Sequence, residues 1–313
     1  MERLIMLRNM YDYGIGNTPL SELPSINGNK LYIKQESRNF LGSIKARTGY
    51  ALVNGLKVPR DCTIIETSSG NLGIALDYFC KEDGRPFFCL LDETIVPIKL
   101  NYLLSLSINC EIVPTEPGSD ARTSRMKRAD ALVSSGTHFW VNQCDNEDGV
   151  AIHKETTARE IYDQTSGSVT SIFCSVGSGG TVCGVGEFFK QKGFDVKIIG
   201  VEPYGSTIFH NVESTYISSG AGLKGKPGNL NRHADVIHKT YTIYDYDSLI
   251  MYRKLNNELK LDAGLSAGMI YAAAEQYCMT TRNEIVVLIA ADGAGYYSDL
   301  LNTDIYTSVK GVS

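Results

Sequence analysis

The sequence predicts an α/β chain with two mostly parallel, twisted sheets, each flanked by helices. Three observations carry that reading. Short β-type runs alternate with stretches of helical period along most of the chain, the pattern of parallel strands joined by helical crossovers. A glycine-bearing strand-to-helix turn occurs twice, at Gly70 and at Gly177, which argues for two such units. With 313 residues, 43% of them hydrophobic, the chain is long enough for two cores.

In order, Thr63-Ile64-Ile65-Glu66 reads as a strand feeding a helix from Asn71 to Cys80. Pro86 to Leu91 precedes a helical Ile95 to Leu106, and Glu111-Ile112-Val113 precedes Asp120 to Val133. Phe139-Trp140-Val141 leads to a helix from His153 to Tyr162. Ile172 to Val176 leads to Thr181 to Lys190, followed by a strand from Lys197 to Val201. A last strand, Ile285 to Ala291, and a short segment, Tyr297 to Leu301, close the series. The polar run Asn142 to Gly149 marks a boundary between the two units. Ser206 to Asn231 has weak periodicity and many Ser, Gly and Asn residues, as functional loops do.

Composition excludes several classes. Net charge is −5 and no basic tract stands out, so nucleic acid is not an expected partner. Met1 to Met6 lacks the long apolar region of a signal peptide, and no apolar run approaches the roughly 20 residues of a membrane span. Eight cysteines sit singly without a CxxC pair, and five histidines are scattered. Free thiols in a reducing cytoplasm are expected, with no metal centre.

Two distant segments carry chemistry. Asn39-Phe40-Leu41-Gly42-Ser43-Ile44-Lys45 puts a lysine at the start of a helical pattern, with Ser43 placed to cap it. Lysines at helix starts are mostly solvated. This one follows a tight Gly-Ser entry and precedes an apolar face, so the positive helix end and partial desolvation should lower its pKa. Gly177-Ser178-Gly179-Gly180-Thr181 joins a strand to a helix, where free N–H groups and the helix dipole point at an anion. It is not a dinucleotide fingerprint, because Val182 stands where a third glycine is needed. A phosphate cradle plus a neutral lysine amine points to a phosphorylated aldehyde held as an imine, which is pyridoxal 5'-phosphate. The run Thr67-Ser68-Ser69-Gly70-Asn71 has more hydroxyl and amide groups than a helix cap needs and suits a carboxylate. Gly220 to Pro227 imitates a nucleotide P-loop, but Pro227 occupies the position that must be Ser or Thr, so ATP binding is rejected.

Asn17-Thr18-Pro19-Leu20, Gly42-Ser43-Ile44-Lys45, Ser68-Ser69-Gly70-Asn71, the glycine cradle and Asp292-Gly293-Ala294-Gly295-Tyr296 follow one another in a single order. This ordered set resembles the cysteine synthase family of fold type II, tryptophan synthase β-like, pyridoxal-phosphate enzymes over nearly the whole chain. Ser68-Ser69-Gly70-Asn71-Leu72-Gly73-Ile74-Ala75-Leu76, Trp140-Val141-Asn142-Gln143 and Gly205-Ser206-Thr207-Ile208-Phe209 resemble most the siderophore-pathway branch, N-(2-amino-2-carboxyethyl)-L-glutamate synthase. That branch joins O-phosphoserine to glutamate on the way to 2,3-diaminopropionate.

The resemblance implies a smaller mobile substrate-binding domain over 36–144 and a larger cofactor-phosphate domain from 1–35 and 145–313. It implies that Lys45 carries the cofactor and is the catalytic base. Asn71 would contact the cofactor's phenolic oxygen, and Gly177, Ser178, Gly179, Gly180 and Thr181 its phosphate. Ser68, Ser69, Gly70, Asn71 and Gln143 would hold the substrate carboxylate. The implied reaction is β-replacement on an activated serine, through an α-aminoacrylate, with small amino-acid substrates, no membrane, a homodimer and a cytoplasmic setting. An amine nucleophile such as glutamate, or sulfide as in a cysteine synthase, would complete it; a catalytically silent binding partner is the remaining alternative. The acidic residue that follows the lysine in the family is Ala46 here. Asp292 either faces the pyridine nitrogen, where cysteine synthases carry a hydroxyl, or is a turn residue one position away. Lys224 and Lys226 are either contacts for a phosphate or acidic substrate or solvated loop residues.

Overall fold

The computed structural model describes residues 7, 9–68, 70–93, 95, 97–218 and 220–301, with the side chains of 97–99 and 296 left out. After a helical stretch over 9–12, the first two strands form a hairpin, β1 (Leu20–Ile26) and β2 (Asn29–Gln35). Asn27 and Gly28 turn it with φ of 50° and 81°, the left-handed pair that two-residue hairpins require. Helix α1 (Lys45–Asn54) follows. Next come β3 (Thr63–Glu66), α2 (Asn71–Glu82), β4 (Phe87–Asp92), α3 (Pro97–Ser105), β5 (Cys110–Val113), α4 (Ala121–Ser134) and β6 (His138–Trp140). After α5 (Glu147–Glu155) and α6 (Thr157–Gln164), β7 (Ser171–Ser175), α7 (Gly180–Lys192) and β8 (Lys197–Pro203) resume the alternation. The chain continues through α8 (Gly228–Arg232), β9 (Lys239–Ile243), α9 (Asp245–Arg253), α10 (Leu265–Met279) and β10 (Ile285–Ala290).

These strands form two sheets. One has four parallel strands, β5-β4-β3-β6; the other has six, β1-β2-β10-β7-β8-β9, parallel except for β1. Side chains alternate across each sheet, so neighbouring residues enter different cores. Val286 and Leu288 pack with α10, whereas Val287 and Ile289 pack with Val182, Val185 and Phe189 of α7. In the smaller sheet Ile64 faces α1 and α2, and Ile65 faces Ala129 of α4. Helices therefore cover both faces of both sheets, as the alternation predicts.

The single helix expected over His153 to Tyr162 is two. Thr156 breaks it, and its hydroxyl donates to the Ile152 carbonyl at 2.6 Å, a back-bond that bends helices. The hairpin, β9, α9 and α10 are further elements that the sequence reading had not placed.

Under α1 lies a buried cluster of charge. Arg47, fully buried, donates to Glu36 at 2.8 and 2.9 Å and to Glu160 at 2.6 and 2.8 Å. Lys34, equally buried, adds a 2.7 Å bond to Glu160. Two cations and two carboxylates thus tie β2, α1 and α6 together with all four charges matched, the condition under which buried ions are tolerated. His153 sits beside them, its ring nitrogens at Thr48 of α1 (3.1 Å) and Thr157 of α6 (3.0 Å).

Candidate active site

In open parallel sheets ligands bind beyond the carboxyl ends of the strands. Here both sheets turn those ends toward one cleft of about 220 Å³. The loops after β3 and β6 supply Ser68, Gly70, Asn71, Gln143 and Cys144; those after β7 and β10 supply Gly177, Ser178, Ala291 and Asp292. A narrower extension of about 40 Å³ is lined by Lys45 and Gly177 through Thr181.

Lys45 is the first residue of α1. The expected Ser43 cap is displaced by one: Ile44 holds the cap position, and the Ser43 hydroxyl accepts from the Lys45 N–H at 3.3 Å. Ile44 N–H donates to the Ala291 carbonyl at 2.8 Å, and Ser43 pairs with Asp292 as a β-bridge, so the end of β10 fixes the helix start. Lys45 Nζ donates to Gln143 Oε1 at 2.9 Å. Burial lowers its pKa, against the weaker opposing pull of Cys144 and Glu66. The Cys144 thiol itself is pushed up to about 11 by burial, so it is no nucleophile.

Two residues the sequence reading left unassigned organise the site. Buried Glu66, the last residue of β3, accepts from Thr67 N–H (2.6 Å), Trp140 Nε1 (3.1 Å) and Gln143 N–H (2.9 Å), joining the loops after β3 and β6. Asn229 donates to the carbonyls of Gln143 and Ser178, both at 2.9 Å, and so spans the two sheets. A strand ending on a carboxylate was the available signal for Glu66; Asn229, deep in a loop of weak periodicity, had none.

Residue by residue, Ser68, Gly70, Asn71, Gln143 and Asp292 line the wider cleft together with Lys45. Ser69 lies outside the described residues. Helix α2 is capped by Gly70 without a side-chain bond, so a capping role does not account for the hydroxyl of Ser68. Asn71 Nδ2 donates to Asp292 Oδ2 at 2.8 Å. The structure does not bring Lys224 and Lys226 to the cleft. Both are exposed, and Lys224 pairs with Glu213 at 3.0 Å. Among the described residues, the cations that line the cleft are Lys45 and Arg125.

The cradle fits a phosphate. A Cβ at Gly177 would come within 2.9 Å of the Gly220 carbonyl oxygen, and Gly179 has φ +84° with Leu230 3.1 Å from where its Cβ would stand. Helix α7 starts at Gly180 with no side chain capping it, leaving its first N–H groups to a ligand. A phosphate there and an aldehyde carbon at Lys45 both fall within one continuous cleft.

The comparisons decide the family. The family described as "Pyridoxal-phosphate dependent enzyme" matches residues 11–292. Cysteine synthase A of Salmonella typhi is 31% identical over 313 residues, covering 94% of this chain and 95% of that protein. The chain is a pyridoxal-phosphate-dependent enzyme of the cysteine synthase family. The crystal structure of O-ureido-L-serine synthase superposes with a TM-score of 0.84 at 26% identity, covering 96% of this chain and 95% of that one. That of the O-acetylserine-dependent cystathionine β-synthase from Helicobacter pylori gives 0.82 at 28% identity, covering 95% and 98%. The cofactor of this cysteine synthase family enzyme is therefore pyridoxal 5'-phosphate. No group of three or more metal-ligating side chains occurs among the described residues, and no helix among them is long and apolar enough to cross a membrane.

Proposed function

We propose that the enzyme performs β-replacement on an activated serine, O-phosphoserine or O-acetylserine, and adds an amine nucleophile such as glutamate, as 2,3-diaminopropionate synthesis requires. The observation that carries the reaction class is the Lys45 amine, depressed in pKa by burial and held at 2.9 Å by Gln143, in a cleft continuous with the glycine cradle. In this reading Gly177 to Thr181 hold the cofactor phosphate, Lys45 its aldehyde carbon, and Asn71 the phenolic oxygen. Bound pyridoxal phosphate supplies the electron sink that acidifies the Cα–H of an attached amino acid.

The chain's own groups do the rest. Ser68 and Gln143, with the N-terminus of α2, receive the α-carboxylate and orient the Cα–H. Lys45, neutral and released from the cofactor, takes the Cα proton on Nζ; Gln143 Oε1 keeps that nitrogen aimed. The leaving group then departs from Cβ with its bonding pair, the nucleophile adds at Cβ and gives up a proton, and Lys45 returns a proton to Cα. In this reading Asp292, which Asn71 holds at 2.8 Å, faces the pyridine nitrogen.

A second reading, sulfide as nucleophile, is favoured by the relatives' names, which include cysteine synthase and cysteine synthase A. Incubating the holoenzyme with each activated serine and with glutamate or sulfide, then weighing the products, separates the two. Borohydride should tag Lys45 in the wild type, and Lys45→Ala should lose the imine absorbance and all turnover while still folding. A tag on another lysine overturns the assignment of Lys45.

A further inference from the structure

The cleft contains a cation that none of the roles above uses. Arg125 lies one turn after Arg122 on α4, so both side chains share the face turned to the cleft. Their situations differ. Arg122 is engaged: its guanidinium donates to the carbonyl of Lys224 and to the Cys144 thiol. Among the described residues Arg125 makes one ion pair, Nη1 to Asp92 Oδ2 at 3.3 Å, and its Nε–H is buried with no acceptor among them. Its side chain is 15% exposed, and Asp92, at the carboxyl end of β4, is no more open.

A buried guanidinium N–H without an acceptor is costly, and an anionic oxygen supplied by a ligand removes that cost. Arg125 lines the wider cleft with Lys45, Ser68 and Gln143 but is absent from the narrow phosphate end. It is therefore placed apart from the cradle that would take the cofactor phosphate. The α-carboxylate has its own receivers in Ser68, Gln143 and the α2 terminus. A third anion is what remains for it.

We propose that Arg125 is a specificity-determining residue that receives a second anionic group of a substrate, a phosphate or carboxylate beyond the α-carboxylate. Asp92 holds the guanidinium by one edge and leaves the Nε edge to the ligand. The inference rests on the β-replacement reading. Within it, the anion comes from one of two sources: the phosphate leaving group of the donor, or the side-chain carboxylate of the nucleophile.

The test uses Arg125→Gln and Arg125→Lys as holoenzymes, with retained cofactor absorbance as the check on folding. First, inorganic phosphate and succinate are titrated into each by calorimetry. Wild type should bind at least one of them, and Arg125→Gln should bind it at least tenfold more weakly. Second, kcat/KM is measured for O-phosphoserine and O-acetylserine, each with glutamate and with sulfide. Selectivity for the anionic over the neutral substrate should fall roughly 10- to 100-fold in Arg125→Gln, the span of a lost charge-assisted bond. Arg125→Lys should recover part of it. A fall confined to O-phosphoserine assigns the leaving group, and one confined to glutamate assigns the nucleophile. Equal losses on all four pairings, as for a purely structural Arg125–Asp92 pair, overturn the proposal. So does a wild type that binds neither anion, or a variant that binds them as wild type does. If anion binding drops in the variant while wild type turns over no activated serine, the subsite stands and the β-replacement reading falls.

Discussion

At the scale of the residue, this protein keeps charge where water cannot reach it, and pH should reveal how. Burial opposes the charge on Glu160, yet the hydrogen bonds and charges of Arg47 and Lys34 outweigh it and hold the carboxyl at about 2. An unfolded glutamate titrates near 4.5, so Glu160 contributes stability above that pH and loses it as pH falls from 4.5 toward 2. His153 is pushed well below 6.5 by burial first, then by Arg47 and Lys45. The unfolded chain takes up that proton and the folded chain does not, so stability falls as pH drops below 6.5. Asp245, raised to about 6 by burial, works in the opposite sense between 6 and 3.8 and makes the wild-type profile shallow. Urea midpoints measured across pH should therefore lose their fall below 4.5 in Glu160→Gln, and their fall just below 6.5 in His153→Gln. Arg47→Ala, which leaves buried Glu36 without its cation and Glu160 with Lys34 alone, should cost about 3–5 kcal/mol in the same assay at neutral pH. A cost under about 1 kcal/mol would mean that water enters the cluster.

Among the elements, α7 is the one on which fold and chemistry meet, because its first turn is the phosphate cradle. It crosses α5 so closely that a Cβ at Gly184 would overlap the Val150 carbonyl and lie 2.8 Å from the Cβ of His153. Gly184→Ala should thus push α7 outward, costing about 1–3 kcal/mol by overpacking and weakening cofactor retention with it. Cofactor release by dialysis, measured beside the urea midpoint, checks both; unchanged release would mean that the cradle adjusts independently of its helix. Much of this was legible in sequence. Strand, glycine turn and helix at Gly70 and at Gly177 followed from periodicity and glycine chemistry. Lys45 and Asn71 stood out by setting and resemblance, and both line the cleft. Other elements were illegible for definite reasons. Helix α10 is apolar on nearly every side because it is buried on nearly every side, so it has no amphipathic stripe to read. The β1–β2 hairpin is announced by Asn27-Gly28, but β2 is paired on both sides and ends on buried Lys34 and Gln35, which breaks the apolar alternation. Arg125 is one of several basic residues on the polar helix α4, and only the third dimension sets it in the cleft.

On the scale of the whole molecule, the groups assigned to the substrate and those assigned to the phosphate stand on different sheets, with Asn229 and the β10–α1 contact joining them across the cleft. That division is the basis for proposing that residues 36–144 move as a smaller body when substrate binds. The chain holds one natural reporter of such a motion. Trp140 is its single tryptophan, and it ends β6 of the four-stranded sheet. Its indole N–H donates to Glu66 at 3.1 Å; Glu66 also takes the Gln143 N–H, and Gln143 accepts from Lys45. A carboxylate arriving at Gln143 thus lies one residue removed from Glu66, the indole's acceptor, and closure would change how that ring is hydrated. Adding an activated serine to the holoenzyme should shift Trp140 emission with the same concentration dependence as the change in cofactor absorbance. In Gln143→Ala both should move to higher concentration together. An emission that stays constant while cofactor absorbance saturates would mean that the four-stranded body keeps its place, and that the cleft accepts its substrate without closing.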